Sequence, residues 1–438
     1  MLKRLLTALR HPVSRNVMAL YWVQIATFVV PLVTLPYVAR VLEPSAFGLV
    51  VFAQGFAFLL VILINWGLGL TGVRSTAANQ NDPEVLAEVV RGVRGGQLVL
   101  AAASAVIAAG ALVLVPTMTD HPEFLVMAWV AAATLGVAPN WFFLGIEQAR
   151  VTALIQLGFR AAGAALTFVL VKDPDDAWIV MALFAGSSVG ALVVSDVMMY
   201  RRVAFRLPRW RLSVGEIRGG TMIFVGTLGV SLVTSINVVL LGFFESSAGV
   251  AHFGAAERLV RTSITLLGPI GAAVIPRMTA LQAAGERERA RRLLTIAVAA
   301  GALPAVAIML ILIVFASPIL HVVYGEDFVD TSVPILRVMA LIIPVNVVGA
   351  VFGVWLMSLR KDGLIVTIAL AAGISNVVFG CTLTLLFGPI GMAWSVIAAE
   401  AVGAAGGVIA VRHNARRAAV AGGTGSAPLI LDPDESRA

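Results

Sequence analysis

Apolar runs of about 20 residues follow one another along this chain, separated by short segments of charged residues, glycine and proline. A helix needs a run of that length to cross the hydrocarbon core, and in lipid only helices and closed barrels satisfy their own backbone polar groups. Twelve runs fall near 17–39, 47–70, 96–115, 123–144, 151–171, 177–199, 221–243, 249–274, 294–316, 332–357, 364–387 and 390–411. The expected fold is an all-α polytopic membrane protein with about 12 transmembrane helices. Composition agrees: 59% of the 438 residues are hydrophobic and 13% charged, about half the charge of a water-soluble protein. The first run is too long for the apolar core of a cleavable signal and no small-x-small site follows it, so it is expected to remain as a membrane helix.

The basic residues record how the chain is threaded. Of 31 Lys and Arg, 25 fall in the tails and the even-to-odd loops, with the densest group at Arg201, Arg202, Arg206, Arg209, Arg211 and Arg218. The opposite loops hold Arg40, Lys172 and the acidic groups Asp173, Asp175, Asp176 and Glu326, Asp327, Asp330. Positive loops stay inside, so both termini are expected in the cytoplasm. The net charge of +7 is thus a topology signal, and no nucleic-acid partner is expected. One cysteine and five scattered histidines give no metal cluster, and no phosphate-cradling glycine loop is present. Neither a metal nor a cofactor is expected, and any work must draw on substrate flow or on a proton or sodium gradient.

The longest basic loop lies mid-chain and divides the spans into two sets of six. The expected organisation is a tail at 1–16, a six-helix half at 17–199, a basic linker at 200–220, a second half at 221–411, and a disordered cytoplasmic tail at 412–438. A faint internal echo supports a repeat: Glu43-Pro44-Ser45-Ala46-Phe47-Gly48 with Phe52 after span 1, and Glu245-Ser246-Ser247-Ala248-Gly249 with Phe253 after span 7. Prolines at 31, 36, 139, 269, 304 and 344 interrupt spans, as at cavities and hinges or simply where membrane helices tolerate them.

A charge in the bilayer core costs at least about 2.5 kcal/mol, so each one needs a partner or a task. Span 8 carries Glu257, Arg258 and Arg261, with Arg261 about 18 Å from its outer end. Glu257 and Arg261 stand in the favourable i,i+4 order for an ion pair, which is one reading. One acid does not neutralise two guanidiniums, and the excess suits an anionic ligand such as a diphosphate. Arg160 lies about 14 Å into span 5 with no acid within a turn, either paired with another helix or facing a cavity. Arg40 ends span 1, either at a cavity mouth or as an anchor, and Arg337 is shallow enough to reach the outer interface. Glu400, midway along span 12, has no basic neighbour in its helix and is a candidate for ion coupling with Glu257, or for a pair with Arg160.

Several motifs then carry a family resemblance. Ser14-Arg15-Asn16, Gln24, Leu35-Pro36-Tyr37-Val38-Ala39-Arg40-Val41-Leu42-Glu43-Pro44 and Phe47-Gly48 resemble the start of the bacterial polysaccharide (oligosaccharide) flippases, the Wzx-like family. Pro139-Asn140-Trp141-Phe142-Phe143-Leu144-Gly145-Ile146-Glu147, the stretch Gly249 to Arg258, Gly268-Pro269 and Ile275-Pro276-Arg277 are similar to it too. That family belongs to the multidrug/oligosaccharidyl-lipid/polysaccharide exporter superfamily. The resemblance implies two six-helix lobes around a central cavity, alternating access, and an undecaprenyl-diphosphate-linked oligosaccharide as substrate in the bacterial cytoplasmic membrane. It also implies work beside a polysaccharide polymerase and glycosyltransferases, among membrane lipids, with no enzymatic step in this chain. Arg258, Arg261, Arg160 and Arg40 are the residues expected to meet the diphosphate. Three other readings remain open at this stage: a cation-coupled multidrug exporter, a lipid II flippase, or a non-transporting membrane protein of polysaccharide assembly. The orientation is checked by a phosphatase reporter, active only outside the cytoplasm, fused after Lys172: activity is expected, and a cytoplasmic reporter overturns the topology.

Overall fold

The computed structural model describes residues 12–359 and 361–423, and the side chains of residues 12–32 lie outside that description. Residues 1–11 of the expected N-terminal tail, residue 360 and residues 424–438 of the expected C-terminal tail lie outside it as well. The chain is all-α, built as two six-helix lobes around a central cavity. Ten helices among the described residues are long and apolar enough to cross a membrane. One of the ten, Val33–Asn65, comprises two spans, and a twelfth helix carries three charges within one span length.

The first helical stretch, Pro12–Asn65, breaks at Glu43, whose φ of 58° and ψ of 168° are not helical. Pro44 explains the break, because a residue before proline is driven out of the helical region. The break gives α1 (12–42) and α2 (44–65). The other spans are α3 (Pro83–Leu114), α4 (Pro122–Gly145), α5 (Ala149–Leu170), α6 (Ala177–Tyr200), α7 (Trp210–Thr234), α8 (Ser247–Leu266), α9 (Arg287–Val314), α10 (Glu326–Ser358), α11 (Asp362–Phe387) and α12 (Pro389–Gly423).

Several expected boundaries move, among them the start of span 7, expected at 221 after a linker at 200–220 and found at Trp210. Asp82 caps α3 by accepting from the amides of Glu84 (3.1 Å) and Val85 (3.2 Å), with Pro83 in the first turn. The helix therefore starts 13 residues before the apolar run at 96, and Arg91 and Arg94, read as loop residues, lie on it. Span 8 was expected to run to 274, but α8 ends at Leu266 and a new helix, Gly268–Ala283, starts with Pro269 in its first turn. Residues 412–423, expected in the disordered tail, continue α12 to Gly423.

Two spans are broken inside the membrane, and side chains take up the carbonyls that the breaks free. In α4, Pro139 interrupts the helix after Val137; Gln97 Nε2 donates to the Gly136 carbonyl (2.9 Å) and Arg94 Nη1 to that of Val137. Asp196 from α6 neutralises Arg94, so an acid that would reach the interface if free has an internal partner. At the end of α7 the Leu232 carbonyl accepts from Asn376 Nδ2 (2.8 Å), and the Val233 carbonyl from Asn237 Nδ2 (3.0 Å) and Arg261 Nη2 (2.9 Å).

The lobes meet along α2 against α8 and α3 against α7. The two turns of the internal echo face each other here: the Gly48 Cα lies against the Ser247 carbonyl, where no Cβ fits. Phe47 packs on Tyr324 (6.2 Å between centroids) and edge-on to Phe328 (5.7 Å), His252 Nδ1 hydrogen bonds with Ser332 Oγ (3.1 Å), and Arg40 donates to the Val322 carbonyl. At the other end of α2, Gly67, held at φ 77°, meets the Gly220 backbone. Trp66 stacks on Phe224 (3.7 Å) and donates to Thr221 Oγ1 (3.2 Å). Gly48→Val should therefore cost on the order of 2–3 kcal/mol by forcing the two turns apart, whereas Gly110→Ala, with nothing within 4 Å, should stay within about 0.5 kcal/mol. Thermal unfolding of the purified chains separates the two, and equal stability overturns the contact.

Candidate functional site

The polar residues of α8 are forced onto the lobe boundary because α8 packs on α2 with its small residues. Val51 lies under Gly254, and Val250, Ala251, Phe253, Ala255 and Ala256 are buried, so the helix turns its remaining face, with Glu257, Arg258 and Arg261, toward a cavity between the lobes. This inter-lobe cavity, about 300 Å³, is closed on the N-terminal side by Gln54, Gly55 and Phe58 of α2, and on the other by Thr234, Ser235 and Val238 after the break in α7.

A second chamber of about 210 Å³ opens from it into the N-terminal lobe; Val51, Gln54, Phe58 and Arg258 line both. Arg160 of α5 enters this chamber from the far wall, with Thr34, Thr167 and Ser187 nearby and Phe58 edge-on to Phe184 (6.2 Å). Arg160 is exposed to the chamber although it lies mid-helix, and Arg258 is partly exposed. Among the described residues no carboxylate lies within ion-pair distance of either guanidinium. Two unpaired guanidiniums, one from each lobe, thus line one space with hydroxyls and an amide, a setting that suits a multiply charged anion.

Arg261 is in a different situation. Its guanidinium lies 3.6 Å from Glu257 and 3.5 Å from Glu400 and donates to the Val233 carbonyl. Glu257, 8% exposed, also accepts from Asn237 Nδ2 (2.7 Å), and Asn237 Oδ1 accepts from Asn376 Nδ2 (2.7 Å), whose own Oδ1 accepts from Ser395 Oγ (3.3 Å). Asn346 Nδ2 shares itself between the two Glu400 oxygens (3.2 and 3.3 Å). This network ties α7, α8, α10, α11 and α12 together and borders a third chamber, in the C-terminal lobe, of about 230 Å³.

The residues expected to act together are thereby redistributed. Arg258 and Arg261 both line the inter-lobe cavity but differ in partners: Arg258 also joins Arg160 at the N-terminal chamber, and Arg261 joins two acids. Glu400 has a basic partner after all, from α8, and that partner is Arg261, not Arg160. Arg40 sits at the contact with Val322, away from the chambers, and Arg337 is exposed with its Nε on the Ile313 carbonyl (3.3 Å). Asn376, Ser395, Phe58 and Phe184 were not singled out from sequence; the signal available for Asn376 was an amide at mid-span, as for Asn237 and Asn346. Among the described residues no three His, Cys, Asp or Glu side chains converge as metal ligands would.

With this geometry established, comparison with known proteins fixes the family. The profile described as "Polysaccharide biosynthesis protein" matches residues 13–282, and that described as "MatE" matches residues 223–382. The chain is 27% identical to a protein named "Putative O-antigen transporter" from Escherichia coli (strain K12), over 91% of this chain and 97% of that one. Among solved structures, the lipid II flippase MurJ in an inward closed conformation superposes with a TM-score of 0.67 at 15% identity, covering 90% of this chain and 87% of that one. An inward-facing multidrug resistance MATE family transporter of the MOP superfamily gives 0.66 at 16% identity, covering 90% and 99%. These two likenesses show the fold. The first profile spans well over half of the sequence, including the motifs on which the Wzx-like resemblance rests, and the chain therefore belongs to the polysaccharide biosynthesis protein family.

Proposed function

We propose that this protein is a flippase that moves undecaprenyl-diphosphate-linked oligosaccharide units across the bacterial cytoplasmic membrane by alternating access, for O-antigen, capsule or exopolysaccharide assembly. The observation that carries the reading is the pairing of Arg160 and Arg258 on one chamber from opposite lobes, each without a carboxylate. A diphosphate presents several oxygens to be shared between two planar forks, and a site split between lobes binds its ligand most tightly when the lobes are in one relative position. The lobes at 17–199 and 221–411 are the moving bodies in this reading. Gln54, which lines both connected cavities, and the chamber hydroxyls offer hydrogen bonds to the sugar next to the diphosphate. Glu257, Arg261 and Glu400 hold the C-terminal lobe together, and any exchange with a proton or sodium gradient at Glu400 requires Arg261 to release it. The cationic chamber speaks against an exporter of cationic drugs. No enzymatic step is assigned; polymerase and glycosyltransferases are the enzymes that supply and consume the flipped unit.

The arginines give a discriminating test. Arg160→Ala and Arg258→Ala should each abolish complementation of a flippase-deficient strain, with membrane levels of the protein unchanged. Arg261→Ala should lower the protein level itself, because it leaves Glu257 and Glu400 buried together without their cation, a loss of about 3–5 kcal/mol. Complementation by Arg258→Ala overturns the anion site. In proteoliposomes Glu400→Gln should leave the pH-gradient dependence of transport unchanged if its task is structural, and loss of that dependence reassigns it to coupling.

A further inference from the structure

The linker between the lobes carries, beside the arginines that record its threading, large apolar side chains that threading does not account for. Between α6 and the first turn of α7 it places Phe205, Leu207 and Trp210 at 66%, 70% and 68% exposure, the side chains held away from the protein. Arg201, Arg202, Arg209 and Arg211 are exposed in the same stretch, and no Asp or Glu occurs from 197 to 215. Phe205 and Leu207 lie outside the spans and Trp210 begins α7, at the edge of one; large apolar side chains there are unfavourable in water, and four guanidiniums without acids repel one another.

This exposure is imposed by the fold. Val203 and Ser213 are buried at either end, Arg206 reaches back to Glu88 (2.7 Å) and Glu84 of α3, and Arg91 Nε donates to the Leu207 carbonyl. Tyr200 packs edge-on to Phe205 (5.2 Å). From 203 to 209 the backbone has no helix, and Arg206 is held on the acids of α3 while Phe205 and Leu207 on either side of it are exposed. The one arginine of residues 200–212 with acid partners faces the protein, and the four without them share the stretch with the apolar side chains.

We propose that residues 200–212 form an interfacial anchor, with Phe205, Leu207 and Trp210 in the headgroup and acyl boundary and the surrounding arginines on the phosphates of anionic phospholipids. The chemistry is that of an amphipathic surface segment, in which apolar insertion and attraction to negative headgroups act together. Because α3 and α7 belong to different lobes and both hold this segment, the anchor fastens the lobe seam to one leaflet and sets the plane about which the lobes move. It stands independently of the substrate assigned above.

The test uses the full chain carrying Cys381→Ser and Ala204→Cys, the latter spin-labelled, in vesicles of phosphatidylcholine alone or mixed with phosphatidylglycerol. With phosphatidylglycerol present the label should be severalfold more accessible to oxygen than to a water-soluble nickel complex. That ratio should fall in phosphatidylcholine alone, and also in mixed vesicles when Arg201, Arg202, Arg209 and Arg211 are all changed to Gln. The first comparison needs no change in the arginines, so misfolding of the fourfold variant does not decide the matter. A label equally water-accessible in both vesicles overturns the anchor. So does one that is shielded only in native membranes, which points to a protein partner instead.

Discussion

Every break in a membrane helix exposes carbonyls that lipid does not hydrogen bond, and this constraint decides where several of the long polar side chains within the spans go. Pro139 frees the carbonyls at 136 and 137, which draw in Gln97 and Arg94; Arg94 in turn requires Asp196. The end of α7 frees those at 232 and 233, which draw in Asn376, Asn237 and Arg261, and Arg261 in turn requires Glu257 and Glu400. Each lobe thus has a broken span with a freed carbonyl that accepts from an arginine, and acid to balance that arginine.

That assignment separates structural charge from available charge. With Arg94 and Arg261 committed to carbonyls and acids, Arg160 and Arg258 are deep arginines without an ion-pair partner among the described residues, and both border the chamber of the N-terminal lobe. The C-terminal lobe also contains a chamber, but its charged lining residue, Glu400, is already engaged. The asymmetry between two lobes of equal helix count follows from how their charges are balanced, and it is the basis for the anion site proposed on the N-terminal side.

The lobe boundary depends on close backbone approach. Gly48 against Ser247 at one end of α2, and Gly67 against Gly220 at the other, bring the lobes together where side chains would hold them apart. The two turns of the internal echo meet at the first of these contacts, so the faint sequence repeat marks a spatial junction between the halves.

Much of the architecture was legible in the sequence because it is set by local quantities: run length fixes the spans, the asymmetry of Lys and Arg implies their threading, and Pro44 and Pro139 fix two breaks. Boundaries were misjudged where a cap outweighed hydropathy, as at Asp82, and where a proline restarted a helix, as at Pro269. The charges inside the spans were legible as anomalies, but not their partners. Arg258 and Arg261 lie three residues apart on one helix, and nothing local separates their tasks. Only tertiary packing does, by bringing Glu400 from 139 residues away to one and Arg160 from another helix to face the other. A buried charge is balanced by whatever lies within a few ångströms in space, and that distance is set by helix packing, not by position along the chain.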